Sequence, residues 1–249
     1  MSDLYNYSLL LIFGFAVLVF VLLFFISAPY GKFSRKGWGP AIKSKWAWII
    51  MEFPSPALIL LFFLFSPDKN IPLLIFVIVW LSHYLHRTFY YPFSQSGRNK
   101  PYPLVIVLMA LVFNSLNSFV NGYGVFHLND YSSSWLLSWQ FITGAALFIC
   151  GYLINKTSDE KLRMLRSQNQ KGYVIPEGWL FTYISCPHYF GEIIEWAGWA
   201  VMTWSLPGLA FFVFTFANLF PRAIASHRWY RQNFQDYPVK RKAVIPFIV

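Results

Sequence analysis

Apolar residues gather into seven long runs, at 8–28, 46–65, 72–90, 103–122, 135–155, 190–206 and 207–225, with polar breaks between them. A helix needs about 20 mostly apolar residues to cross the hydrocarbon core, so each run predicts a spanning helix. The expected fold is an all-α polytopic membrane protein with seven transmembrane helices. Only the first run lacks polar interruptions. No basic stretch precedes it and no small-residue cleavage site stands out, so it is expected to remain as a span and not to leave as a signal peptide. No internal repeat, low-complexity tract or shift in composition divides the chain, which predicts a single domain over residues 1–249.

Composition agrees with this reading. Charged residues make up 12% of the chain, about half the share usual in soluble domains. That excludes a water-soluble monomer, and 57% hydrophobic residues exclude disorder. Two cysteines, Cys150 and Cys186, make neither a disulfide framework nor a zinc set. A net charge of +10 would suggest nucleic acid in a soluble protein, but here the charges are lopsided. Lys32, Arg35, Lys36, Lys43 and Lys45 follow the first span, and Arg87, Arg98 and Lys100 surround the end of the third. Lys156, Lys161, Arg163, Arg166 and Lys171 follow the fifth, and six more end the chain, leaving Lys69 alone on the other side. The positive-inside rule therefore predicts an N-terminus outside and a C-terminus in the cytoplasm, with no nucleic-acid partner. The outer connections are short or uncharged. The inner segment 156–177 mixes acids and bases, which predicts a short surface helix where a water-soluble ligand would be met.

Ionisable residues at membrane depth cost at least roughly 2.5–3.5 kcal/mol on insertion scales, so they mark candidate sites. Glu52 stands in Met51-Glu52-Phe53-Pro54-Ser55-Pro56, where two prolines remove backbone donors. It either lines a cavity or serves the backbone groups that the prolines free. Tyr84, Arg87 and Tyr91, at i, i+3 and i+7, share one helical face. His83 and His86 could begin a metal site, but no further ligands stand at suitable spacing, and no metal is expected. Tyr90 suits the interfacial aromatic belt. Glu192 and Glu195, three apart in an apolar run, need a cation opposite, and Arg222 is the expected partner, as a site or as a structural ion pair.

Neither GxGxxG after a strand nor GxxxxGK[ST] occurs, so Rossmann and P-loop nucleotide binding are unsupported. The inner basic clusters could nevertheless clamp phosphates. Asn155, Asp159, Tyr173 and Tyr230 among them suit ribose hydroxyls and amides, while attraction to anionic lipid would explain the charge count alone.

Ordered motifs then carry a resemblance. They are Ala28-Pro29-Tyr30-Gly31-Lys32, Glu52-Phe53-Pro54-Ser55, His83-Tyr84-Leu85-His86-Arg87-Thr88-Phe89, and Asn155 with Asp159 and Arg166. Tyr173-Val174-Ile175-Pro176, Gly191-Glu192-Ile193-Ile194-Glu195-Trp196, Trp204-Ser205-Leu206-Pro207, Arg222-Ala223 and Asp236-Tyr237-Pro238 through Arg241 to Ile248 follow. Over nearly its whole length the chain resembles the steroid 5-alpha-reductase family, as a short homologue compatible with a bacterial inner membrane or the endoplasmic reticulum.

The resemblance implies a seven-span reductase that uses NADPH to saturate the 4,5 double bond of a 3-oxo-4-ene steroid by hydride transfer to C5. Spans one to four would form the substrate side and spans five to seven, with their cytoplasmic loops, the cofactor side. Carried over by position, Glu52 and Tyr84 match the pair that holds the 3-keto oxygen. Asn155, Asp159, Arg166, Tyr173, Glu192, Arg222 and Tyr230 match cofactor contacts, which Tyr30, Lys32 and Arg98 join. Four departures stand out: Met51 where mammalian enzymes usually have glutamine, His188 for an asparagine at the cofactor site, Ser226 in a histidine-rich stretch, and an insertion at Asn99-Lys100. The expected partners are a steroid or other lipid-like enone, entering laterally from lipid or through an opening among spans one to four, and the membrane itself, with a monomer sufficient.

Hydride delivery to an enone builds negative charge on the carbonyl oxygen, so donors belong where that charge develops. A carboxylic acid in apolar surroundings tends to keep its proton, which fits Glu52 as a neutral donor beside Tyr84. Three other readings remain open. One is a reductase of another conjugated double bond, in a sterol ring or an enoyl thioester. Another is a membrane methyltransferase using S-adenosylmethionine. The third is a transporter with Glu52, Glu192 and Glu195 along its pathway, although the inverted halves expected there are absent.

Overall fold

The computed structural model describes residues 2–168 and 172–249; Lys171, counted above with the inner charges, lies outside the described residues. Among the described residues the chain forms seven helical rods. They are α1 (Ser2–Phe25), α2 (Ser44–Leu64), α3 (Ile71–Ser94), α4 (Leu104–Leu128), α5 (Trp139–Gln168), α6 (Pro187–Thr203) and α7 (Leu206–Asn233). Five of them, α1 to α4 and α7, are long and apolar enough to cross a bilayer. The hydrophobic runs thus located every rod to within a few residues at most ends.

The apolar outer face of α1 carries Leu10, Leu11, Val17, Leu18 and Val21, all exposed, as expected of a surface solvated by lipid. Its inner face, Tyr5, Leu9, Ile12 and Ala16, packs with Val120, Ala210 and Phe214. A second core gathers Phe76, Trp80, Trp196, Trp199 and Phe211 between α3, α6 and α7. Helix starts follow the local chemistry. Asn70 accepts from Leu73 N at 3.1 Å, Ser205 accepts from Gly208 N at 3.2 Å, and Pro72, Pro187 and Pro207 stand in first turns, where a missing N–H costs nothing.

Two expectations change. The charged stretch after residue 155 is not a separate surface helix: α5 runs unbroken to Gln168 and carries those side chains as its own polar end. Two short strands, β1 (Ala41–Lys43) and β2 (Pro101–Pro103), pair antiparallel with Ile42 opposite Tyr102 and tie together the segments that lead into α2 and α4. Apolar periodicity cannot reveal strands of three residues.

α5 and α6 lie against each other at backbone distance. Gly144 faces Met202, Phe148 faces Gly198, Gly151 faces Glu195 and Asn155 faces Gly191, so each close approach has a glycine on one side. Small residues at this spacing let helix backbones meet inside a membrane. This contact sets Asn155 and Glu192 side by side.

Candidate functional site

A cavity of about 870 Å3 opens among the polar ends of the rods. Its walls come from both halves of the chain, not only from the last three rods. The segment after α1 brings Tyr30 and Lys32, α2 and α3 bring Trp48, Arg87 and Tyr91, and α5 to α7 bring Lys156, Asp159, Arg166, Glu192, Arg222 and Tyr230.

The cations of this cavity lie largely on aromatic faces. Lys32 Nζ is 4.8 Å from the Trp229 ring and 4.3 Å from the Tyr230 ring. The Arg222 guanidinium lies 5.1 Å from Tyr30 and 5.4 Å from Tyr189, and that of Arg166 lies 5.5 Å from Tyr173. Stacking occupies the flat face of a guanidinium and leaves its in-plane N–H donors open to an anion. Burial away from water lowers the Lys32 ammonium to about 8 and raises the Cys186 thiol beside it to about 11. Cys186 is therefore a protonated, inert wall residue near neutral pH.

Arg87 connects the cavity to the deeper layer. Its guanidinium stacks 4.4 Å from Trp48 and 4.8 Å from Tyr91, with Nε 3.8 Å from Glu52 Oε1 and Nη1 3.8 Å from Asp159 Oδ2. A π-helical turn over His86–Tyr90 shifts the register after Tyr84. Arg87 and Tyr91 therefore face the cavity, while Tyr84 is buried on Trp80, with ring centroids 5.1 Å apart. Glu52 ends the first segment of α2, and Pro54 opens the second. Asn114 of α4 serves that break: its Nδ2 donates to Met51 O at 2.6 Å and to Glu52 Oε2 at 3.2 Å. The Glu52 carboxyl thus faces Asn114 and Arg87, and the backbone at the proline break is served by the asparagine.

Nine of the sequence-predicted cofactor residues line the cavity: Tyr30, Lys32, Asp159, Arg166, Tyr173, His188, Glu192, Arg222 and Tyr230. Asn155 stands behind them, its Nδ2 donating to His188 O at 3.0 Å and to Glu192 Oε2 at 3.4 Å. Arg98 is not brought to the cavity. It is exposed and its Nη1 donates to Phe93 O at 3.1 Å, whereas Lys100, two residues on, lines the wall. Glu52 and Tyr84 lie one layer beyond the wall, behind Arg87. The expected pairing of Arg222 with the two glutamates is also corrected. Glu195 Oε1 meets His83 Nδ1 at 2.7 Å, Glu192 meets Asn155, and Arg222 stacks on tyrosines. Arg222 lies against the Tyr30 and Tyr189 rings, with Glu192 within electrostatic range but making no ion pair with it. Arg87 and Lys156 entered the sequence reading only as members of a helical stripe and of a basic cluster, without a role of their own. Asn114 was missed, and nothing in the sequence singles it out.

A family model described as 3-oxo-5-alpha-steroid 4-dehydrogenase matches residues 100–249. Steroid 5-alpha-reductase DET2 of Arabidopsis thaliana is 48% identical over 238 residues, covering 92% of this chain and 90% of that protein. 3-Oxo-5-alpha-steroid 4-dehydrogenase 1 of Bos taurus is 41% identical, covering 94% and 92%, and that of Homo sapiens is 38% identical, covering 89% and 86%. The chain belongs to the steroid 5-alpha-reductase family. These family members are plant and animal proteins, and the chain covers most of their length. Three of the departures from the family pattern, Lys100, His188 and Ser226, stand in the cavity wall, while Met51 is buried with Ala47, Tyr102 and Val107.

Proposed function

We propose that this chain reduces the 4,5 double bond of a 3-oxo-4-ene steroid with NADPH, with Glu52 and Tyr84 at the ketone and the polar cavity holding the dinucleotide. The observation that carries this reading is the join between the two sites. Arg87 lines the cavity and also meets Glu52, so a group bound in the cavity ends beside the half-buried Glu52 carboxyl.

The residues fit the dinucleotide. A volume of about 870 Å3 falls within the range of roughly 300–1,000 Å3 usual for small-molecule and cofactor sites. Asn155 Oδ1 and His188 Nδ1 are buried without hydrogen-bond partners, which suits a polar ligand such as a carboxamide or ribose. Arg166, Arg222 and Lys32 supply the donors for phosphates. When bound, NADPH supplies the hydride. Glu52 and Tyr84 then donate toward the ketone oxygen as negative charge develops there, and the surrounding tryptophans keep bulk water away. Glu192 and Asn155 hold each other in place at the cavity wall, and Asp159 steadies Arg87. The charge asymmetry supports seven spans in a single membrane domain with the N-terminus outside, which turns the cavity to the cytoplasm where NADPH is available.

The direct test is NADPH-dependent loss of enone absorbance with progesterone or testosterone in liposomes. Failure there, with reduction of an enoyl-CoA instead, would move the chain to the related reductases. Arg166→Ala is expected to raise the KM for NADPH more than it lowers saturated turnover, because a phosphate contact is made equally in ground and transition states. Steady-state kinetics at varied NADPH check this, and an unchanged KM removes Arg166 from the clamp. A pH effect follows from Lys32. Its ammonium loses its proton as pH rises through about 8, while a bound phosphate favours the charged form. The KM for NADPH should therefore be low below pH 8 and climb above it, and Lys32→Arg should flatten that climb. A KM that rises equally in both proteins assigns the effect elsewhere.

A further inference from the structure

The buried pair formed by His83 and Glu195 has no part in the cavity wall or in the ketone contacts described above. Its atoms are 2.7 Å apart, with side chains 4% and 0% exposed. Stability is a weak reason for such a pair, since apolar residues of similar volume often replace it without loss. One detail departs from a purely structural contact. Glu195 Oε2 is buried and has no hydrogen-bond partner, although buried acceptors nearly always have one.

The pair continues a series of proton-carrying groups. One turn along α3, His86 Nδ1 holds Lys156 Nζ at 2.9 Å, and both side chains line the cavity. Lys156 and Arg87 are the charges within electrostatic range of Glu195, and Tyr152 of α5 lies close by. His83 is approached by Lys156 and Asp159 of α5, Glu192 of α6 and Arg87 of its own helix. At the deep end the His83 ring meets Tyr84 edge-on, with centroids 4.9 Å apart, and Trp196 packs against both.

Enone reduction adds a hydride and a proton, so a phenol that gives up its proton at the ketone must be recharged in every turnover. We propose that Glu195 is the internal carboxyl that recharges Tyr84, loaded from the cavity through Lys156 and held in place by His83. The proposal rests on the reading of Tyr84 as a ketone donor. His83 fixes Oε1 and leaves Oε2 as the port. The Lys156 ammonium gives a proton to the Glu195 carboxylate at Oε2. The neutral amine then takes a proton from cavity water, and the carboxylic acid passes its proton to the Tyr84 phenolate through a bridging water. One proton moves inward from solvent, and every group returns to its starting form.

The experiment uses the full chain in liposomes with NADPH and testosterone. Glu195→Gln keeps the shape of the side chain and removes its proton traffic. Turnover is expected to fall about tenfold or more, with both KM values within about twofold of the parent. The solvent deuterium isotope effect should grow and that of deuterated NADPH should shrink, because proton resupply now limits the rate. Should this variant fail to fold, Lys156→Ala at the cavity wall carries the test, with recovery of turnover by ethylamine and none by sodium chloride. Isotope effects like those of the parent in Glu195→Gln, or no recovery by the amine in Lys156→Ala, overturn the relay. Tyr84→Phe in parallel separates the two readings. Normal turnover there removes the ketone donor and the relay with it. Low turnover there, beside parent-like isotope effects in Glu195→Gln, removes the relay alone.

Discussion

Tyr84→Phe is expected to lower turnover of an enone steroid by roughly a hundredfold to a thousandfold, with the KM for NADPH nearly unchanged. Phenylalanine keeps the ring stacked on Trp80 at 5.1 Å and tilted against Trp196 at 5.7 Å, so the packing of α3 against α6 survives. Only the hydroxyl is lost, and with it the donor that the proposed mechanism aims at a charge present in the transition state and not in the bound substrate. Glu52 gives a sharper version of the same test. Asn114 donates to its Oε2, while Arg87 Nε stands 3.8 Å from Oε1, beyond hydrogen-bond length. A proton on Oε1 could therefore face the ketone. Glu52→Gln keeps a donor and should retain more turnover than Glu52→Ala. Equal losses in the two variants would mean that the carboxyl serves as the counter-charge of Arg87 and not as a donor. Single-turnover rates at saturating NADPH read these differences without interference from product release.

The second large effect is structural. Gly151→Val should abolish the folded, cofactor-binding state, and Gly151→Ala should lower stability by about 1–3 kcal/mol, the usual range for overpacking. A Cβ at position 151 would meet the backbone of Glu195 and Gly191, and backbone cannot rotate aside as a side chain can. Separating α5 from α6 at this point would also pull Asn155 away from Glu192 and His188 and open one wall of the cavity. Gly14 of α1 is the control, because a Cβ there would meet nothing within 4 Å, and Gly14→Ala should leave stability and turnover as they are. Thermal unfolding in detergent, with and without NADPH, measures both. A Gly151→Ala protein as stable as the Gly14→Ala control would show that the two helices can move apart without consequence.

Much of the molecule was legible in the order of its residues. Hydrocarbon imposes a length and an apolar composition on a spanning rod, and both are properties of a contiguous segment, so the five rods that meet them could be read directly, and the other two stood out as shorter or partly polar apolar runs. The cavity-lining residues of α5 to α7 were found because polar side chains stand out against an apolar background. The residues that were missed depend on neighbours distant in sequence. Asn114 is an ordinary polar residue of α4 until α2 breaks opposite it at Glu52, 62 positions away. Arg98 and Lys100 look equivalent in a basic loop, and only the turn between them decides which one reaches the cavity. The partner of Glu195 was misassigned because His83 lies 112 residues away on a helix whose rotation no periodicity reveals.

The sequence by itself determined the membrane class, the rods, the asymmetry of charge and the family, because each is written in local composition or in ordered motifs. Only the tertiary structure decided that Arg87 joins the cavity to Glu52, that four glycines bring α5 and α6 to backbone contact, and that Glu195 keeps a buried oxygen unpartnered. Those three facts are distances between separate rods, set by how the rods rotate and slide against one another, and side-chain packing fixes rotation and sliding only once all the rods are assembled.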